Sequence, residues 1–425
     1  MNLNQDQKRA FDEILKGRNV FVTGGGGVGK SYLIRHIRDL FEGDTILVTP
    51  TGISALNIGG STIHRTFRLP IHILTKEDQR VSDSVLELFG KDGPVKRIIF
   101  DEISMCRSDV FITIDWILRK ARKHSKSFGG IQVIAFGDFF QLCPVVSKNE
   151  HTTFYDEYSS SYCFNTNSWL EANFKVIEMT EMMRQSDEVM IKNLNQIRKK
   201  EDSYKNSVLF FNDIGIKNQV TVLDQDPVFL CSTNATANTI NQQNYSELDG
   251  EEYSFEAKYK GVFNEEPAPK ILNVKHGTKL LCCANNEQMV NGEVCYFLGM
   301  VGSSMRVVME KTEQEMLVDT FTWSQYEYEV KNGKLTPKVV SQYTQYPFKY
   351  GWAVTIHKSQ GMTLDHAMID VGSGLFSHGQ AYVALSRLKT LDGLGLLKEM
   401  KFSDIIVDKE VIEFYDNNCS TIATF

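Results

Sequence analysis

The chain has 425 residues, of which 42% are hydrophobic and 23% charged, with a formal net charge of −7. That length suits two or three domains, and the acidic balance excludes a protein that coats nucleic acid through its total charge, leaving only a local groove for such a ligand. No window reaches the ~18 apolar residues of a membrane span and the polar N-terminus does not read as a secretory leader, so a soluble intracellular protein (cytoplasm or nucleus) with eight reduced cysteines is expected.

The first strong signal is Val20 to Ile37, VFVTGGGGVGKSYLIRHI. A short buried strand runs into Gly24–Ser31, which satisfies G-x-x-x-x-G-K-[ST]. A helix follows, with Leu33, Ile34, Ile37, Leu40 and Phe41 along one face. Residues without Cβ let successive backbone N–H groups turn inward around phosphate oxygens, and the helix adds its positive N-terminal end. Gly24, Gly25, Gly26, Gly27, Val28 and Gly29 therefore read as the cradle, with Tyr32 at its exit. Lys30 would reach the β and γ phosphates and Ser31 would hold Mg²⁺.

Between Pro70 and Pro94 lies a polar segment with one amphipathic turn set. It contains Thr75–Asp78, TKED, which resembles a guanine-recognition signature but stands upstream of the acidic strand that should precede it. ATP is the favoured nucleotide. That acidic strand is VKRIIFDEISM, where Asp101 would bind the Mg²⁺ shell and Glu102 would polarise the attacking water. Arg119–Lys126, RKARKHSK, reads as a solvated helix face. Another strand, Val133–Phe136, ends in Gly137, Asp138 and then Gln141, a glutamine placed to sense the γ-phosphate. Beside it Phe139 and Phe140, with Pro144 following, would present a ring on which a base stacks.

A break falls near Thr180–Gln185, before the amphipathic VMIKNLNQIRKK. A second buried strand opens in DPVFLCSTNATANTIN, with Asn and Thr at a helix cap. From about Glu293 to Tyr343 the pattern alternates, bounded by Gly, Ser and Asn turns, as in a small antiparallel β module. After the apolar WAV comes a dense polar cluster, Thr355, His357, Lys358, Ser359 and Gln360, whose donors suit a phosphate track.

TPTGISALNIGGSTIH, FDEISM, GDFFQLCPV, EMMRQ, WAVTIHKSQGMTLD and QAYVALSR follow one another in an order that resembles the motif series of superfamily 1 helicases. Their wording is similar to the Pif-one family, with its RecD-like and Dda-like relatives, in the branch that moves 5′ to 3′, and the likeness runs from about Asn4 to Arg387. The resemblance implies an α/β fold of two RecA-like P-loop domains, 1–183 and 184–425. A short wedge insertion is expected near 68–94 and an SH3-like β insertion near 293–343. It implies that Gln7 contacts adenine and that Arg184 and Arg387 reach the γ-phosphate. Thr49, Thr51, Gly52 and His64 are expected to line the DNA path, together with the cluster from Thr355 to Gln360.

The activity implied is an ATP-dependent DNA helicase, with ATP and Mg²⁺ as cofactors and single-stranded or tailed duplex DNA as partner. A monomer in solution is expected. The alternative is a DNA-stimulated ATPase switch that separates no strands.

Overall fold

Runs of Val, Ile, Leu and Phe without alternation are what a sheet covered on both faces requires. In the computed structural model, which describes residues 3–419 apart from 186, 264–265 and 286–288, these runs form the inner strands of a six-stranded sheet. The sheet consists of β1 (Val20–Thr23), β2 (Thr45–Thr49), β3 (Ser61–Thr62), β4 (Arg97–Phe100), β5 (Gln132–Phe136) and β6 (Lys175–Glu178). The order is β3-β2-β4-β5-β1-β6 and every pairing is parallel. Their carboxyl ends therefore share one edge. Since β4, β5 and β1 are consecutive neighbours, the loops leaving Phe100, Phe136 and Thr23 are brought together.

Two helices fix the approach to that edge. Helix α1 (Gln5–Leu15) begins with a capping box in which Gln7 N donates to Asn4 Oδ1 (2.8 Å) and Asn4 N to Gln7 Oε1 (3.0 Å). Helix α2 (Lys30–Leu40) buries Leu33, Ile34 and Ile37 against Val20, Val22, Ile99 and Phe136 of the sheet. The segment expected as a short wedge holds a 3₁₀ turn, Lys76–Asp78, and a helix, Asp83–Phe89, whose Phe89 ring stacks on Phe67 at 5.1 Å. The TKED string is a local capping box: Asp78 accepts from Thr75 N (2.9 Å) while Thr75 Oγ1 accepts from Glu77 N.

The chain divides into two compact units, one of residues 1–183, 325–340 and 408–425, the other of 184–324 and 341–407. The second unit has its own parallel sheet. Its strands are β7 (Val228–Cys231), β18 (Ala353–Thr355), β19 (Ala367–Asp370) and β20 (Leu394–Leu396), in the order β18-β7-β19-β20.

Between β7 and β18 the chain forms β8 (Tyr253–Glu256), β9 (Lys258–Lys260), β10 (Ile271–Val274), β11 (Lys279–Cys282), β12 (Val294–Val301) and β13 (Ser304–Met309). There follow β14 (Glu315–Val318), β15 (Phe321–Lys331), β16 (Lys334–Gln345) and β17 (Phe348–Tyr350). An antiparallel sheet, β14-β13-β12-β11-β17, closes over Leu280, Cys295, Phe297, Val307 and Phe348. The β module thus starts earlier than the alternation from Glu293 suggests, because β11 is buried on every residue and shows no alternation.

The expected two-block division needs amendment in two places. Residues 325–340, the outer part of the β15–β16 hairpin, group with the first unit. There the Arg68 guanidinium pairs with both oxygens of Glu327 (2.9 and 2.8 Å), and Leu47 N donates to the Tyr328 hydroxyl. Residues 408–419 also belong to the first unit. Helix Lys409–Asn418 packs Phe414 into an aromatic cluster, its ring 4.5 Å from Phe164, 5.5 Å from Phe139, 5.9 Å from Trp169 and 6.0 Å from Phe21. Replacing Phe414 with Ala should cost about 3 kcal/mol of stability, read as a lowered midpoint in denaturant unfolding. An unchanged midpoint would contradict this docking.

Candidate nucleotide site and nucleic-acid surfaces

The loop after β1 has no room for side chains. A Cβ on Gly24 (φ +143°) would lie 2.4 Å from the Met179 carbonyl oxygen. One on Gly29 (φ +87°) would lie 2.7 Å from Gln7 Nε2 and 3.1 Å from Met183 Sδ. The segment following β6 grips the loop through its backbone: Met179 N donates to Thr23 O (2.8 Å) and Met183 N to Gly27 O (2.9 Å). From the other side the buried Gln7 amide donates to Gly29 O (3.2 Å). Lys30 Nζ is held inside by Gly24 O (2.7 Å) and Gly25 O (3.0 Å). A glycine cradle with an ammonium within it at a helix start is chemically suited to phosphate, and Ser31 and Tyr32 lie exposed on the first turn.

At the neighbouring strand ends stand two acids and an amide. Asp101, after β4, is buried; burial first, and then the charge of Glu102, push its carboxyl up to about 7, against the pull of Lys30. Glu102 is half-buried and takes a left-handed conformation (φ +52°, ψ 43°) that costs a non-glycine residue on the order of 1 kcal/mol. That conformation turns the chain abruptly into the 3₁₀ turn Ile103–Met105. Gln141, after β5, is 5% exposed, with Nε2 donating to Asp138 Oδ2 (3.2 Å) and its backbone N to Asp138 O (2.9 Å). Among the described residues no cluster of three or more His, Cys, Asp or Glu is arranged to hold a metal. Ser31 and Asp101 together fit Mg²⁺, which commonly takes one or two protein groups plus substrate phosphates and water.

The residues expected on the DNA path separate by exposure. Thr51 and Gly52 are half-buried at a helix start, where Thr51 Oγ1 accepts from Ser54 N (3.2 Å). Thr49 needs correction: it closes a fully buried strand and its hydroxyl donates to Thr51 O (2.8 Å), so it shapes the turn. His64 is half-buried on a short helix, and burial holds its imidazole below the usual range. In the second unit Lys358 is exposed, with His357 and Gln360 half-buried beside it. Ser359 is fully buried and its Oγ donates to Ile356 O (2.8 Å), while the buried Thr355 hydroxyl accepts from Lys358 N (3.3 Å). These two hydroxyls build the turn.

Phe139 and Pro144 also need correction. Phe139 is 0% exposed, its ring 4.7 Å from Phe164 and 5.1 Å from Phe21, and Phe140 is 1% exposed. Pro144 is buried too. None of the three presents a face to a base. In the basic string Arg119 pairs with Asp115 and Glu171 and Arg122 donates to Val95 O, while Lys120, Lys123 and Lys126 are exposed, as a solvated face requires.

Arg184 Nη1 donates to Ser386 O (3.0 Å). Arg387 is 1% exposed, with Nε bound to Val383 O (2.8 Å), Nη1 to Ser359 O and Met362 O (both 3.4 Å), and Nη2 to Ser386 Oγ (2.7 Å). In this conformation its guanidinium braces the second unit. Sequence reasoning missed Tyr415 altogether, although its hydroxyl lies within hydrogen-bond reach of both the strand before the glycine loop and the turn carrying Gln141. No local signal marks a residue so far away along the chain.

The model of a family described as PIF1-like helicase matches residues 2–217. A Campylobacter jejuni protein named ATP-dependent DNA helicase Pif1 is 30% identical, the match covering 95% of this chain and 96% of that protein. The rat protein named ATP-dependent DNA helicase PIF1 is 30% identical across 97% of this chain, which spans 64% of it. The crystal structure of a Bacteroides sp. Pif1 in complex with ADP-AlF4 is similar with a TM-score of 0.89 at 29% identity, covering 99% of this chain and 98% of that one. The Bacteroides Pif1 in complex with ADP-AlF3 and ssDNA is similar at 0.71, with 30% identity and the same coverage. The two parallel sheets flanked by helices are a pair of RecA-like domains. The chain belongs to the PIF1-like helicases.

Proposed function

We propose that the chain is an ATP-dependent DNA helicase that moves 5′ to 3′ along single-stranded DNA and separates the strands of tailed duplexes. The observation that carries this is the convergence of Lys30, Asp101, Glu102 and Gln141 at three adjacent strand ends beside a glycine cradle. The relatives named as ATP-dependent DNA helicases and the ssDNA complex of a similar structure support it. The direction is carried over from the family resemblance.

Lys30 would leave the Gly24 and Gly25 carbonyls to meet the β and γ phosphates, and the backbone from Gly24 to Gly29 would cradle them. Gln7, tied to Gly29, would contact the adenine edge. Ser31 and Asp101 would hold Mg²⁺, which when bound neutralises phosphate charge. Glu102 would orient and deprotonate the attacking water, and Gln141 would report the γ-phosphate. Arg184 and Arg387 would add positive charge at the γ-phosphate, Arg387 only after giving up its bonds within the second unit.

Thr51, Gly52 and His64 in one unit and His357, Lys358 and Gln360 in the other would hold DNA phosphates without reading sequence. Alternating grip between these two surfaces, driven by nucleotide binding and release, would advance the strand.

Single-stranded DNA should stimulate phosphate release from ATP; no stimulation would remove the helicase reading. Lys30→Ala should abolish turnover with the fold intact. Glu102→Gln should still bind nucleotide yet lose roughly 10²- to 10⁴-fold in kcat, and normal turnover in either variant would overturn the assignment. Binding to single strands should weaken with salt, and Lys358→Ala should lower the log–log slope by about 0.7, the share of one phosphate contact. An unchanged slope would take Lys358 off the track.

A further inference from the structure

The turn that carries Gln141 is completed by a side chain from the far end of the chain. Asp138, 1% exposed, organises this turn: its Oδ1 accepts from Phe140 N (3.2 Å) and its Oδ2 from Gln141 Nε2 (3.2 Å). A buried carboxylate holds such an arrangement only when donors surround it, and here one of them comes from elsewhere. The Tyr415 hydroxyl lies 3.5 Å from Asp138 Oδ1, accepts from Phe139 N (3.2 Å) and is 2.5 Å from Thr23 Oγ1. Thr23 is the last residue of β1 and directly precedes Gly24. Tyr415 itself is 4% exposed, and its ring stacks on Phe140 with centroids 4.4 Å apart.

One hydroxyl thus joins the entry to the glycine loop, the backbone of the neighbouring turn and the carboxylate that holds Gln141. All of these residues lie in the first unit. The phenol's proton serves one oxygen, that of Thr23 or of Asp138; in either arrangement the β1 and β5 strand ends are tied through a group that neither carries. Phe414, the adjacent residue, turns into the aromatic cluster beneath and fixes the helix.

We propose that Tyr415 is a positioning residue for ATP hydrolysis, setting Gln141 and its turn in register with the loop that holds Lys30. The proposal rests on the reading of this site as an ATPase. It assigns the helix Lys409–Asn418 a part in turnover beyond packing.

The test is Tyr415→Phe, which keeps the ring stacked on Phe140 and removes only the hydroxyl, measured alone and combined with Gln141→Ala. With saturating single-stranded DNA, kcat for ATP hydrolysis should fall roughly ten- to hundredfold, as expected when a catalytic group is held loosely, while KM for ATP stays within about twofold. In the Gln141→Ala background the same substitution should change kcat by less than about twofold, because the hydroxyl acts through that turn. Unchanged kcat in Tyr415→Phe would overturn the positioning role, and so would losses that multiply in the double variant or a raised KM with normal kcat. A wild-type protein inert toward ATP would overturn the ATPase reading together with this one, whereas an active wild type beside an unaffected Tyr415→Phe overturns the positioning role alone.

Discussion

The close approach of the Gly24 backbone to the Met179 carbonyl governs how the first unit is assembled. No residue with a Cβ fits there, so the chain leaving β1 turns at a glycine with a positive φ. Two flanking segments then close on it: α1 through the Gln7 amide, and the stretch after β6 through the backbone of Met179 and Met183. The loop is thus held from two sides by hydrogen bonds. Lys30 rests on two loop carbonyls, and these bonds are the ones it would exchange for phosphate oxygens.

The adjoining strand ends concentrate carboxylates where burial makes them costly. Asp101 feels both the loss of water and the charge of Glu102, which together raise its carboxyl against the pull of Lys30. Asp138 is satisfied differently, by donors from its own turn, with the Tyr415 hydroxyl close by. These two acids follow adjacent strands: burial and the charge of Glu102 act on one, and hydrogen bonds within its own turn hold the other.

Much of this was readable from the residues in order, because glycine spacing, strand-end acids and helical faces are local signals. The glycine loop precedes a helix, and Asp101, Glu102 and Gln141 follow strands, as such local signals describe. What failed was any inference about which distant segment covers a face. Phe139 and Phe140 follow a strand and look like loop aromatics, but the turn around Asp138 folds them beneath helix Lys409–Asn418, some 270 residues later. Thr49 and Ser359 have hydroxyls in polar strings, yet each closes a hydrogen bond to a backbone carbonyl close by in sequence. Arg387 likewise spends its guanidinium on neighbours that periodicity does not reveal. The outer β15–β16 hairpin grouped with the first unit for a related reason: the Arg68–Glu327 pair joins residues 259 apart in sequence.

The most direct measurement is ATP-dependent unwinding of two short duplexes, one with a 5′ single-stranded tail and one with a 3′ tail, with Lys30→Ala protein as the blank. The account predicts opening of the 5′-tailed duplex alone. Opening of the 3′-tailed duplex alone would contradict the direction of travel, and opening of neither, with hydrolysis still stimulated by DNA, would contradict strand separation itself.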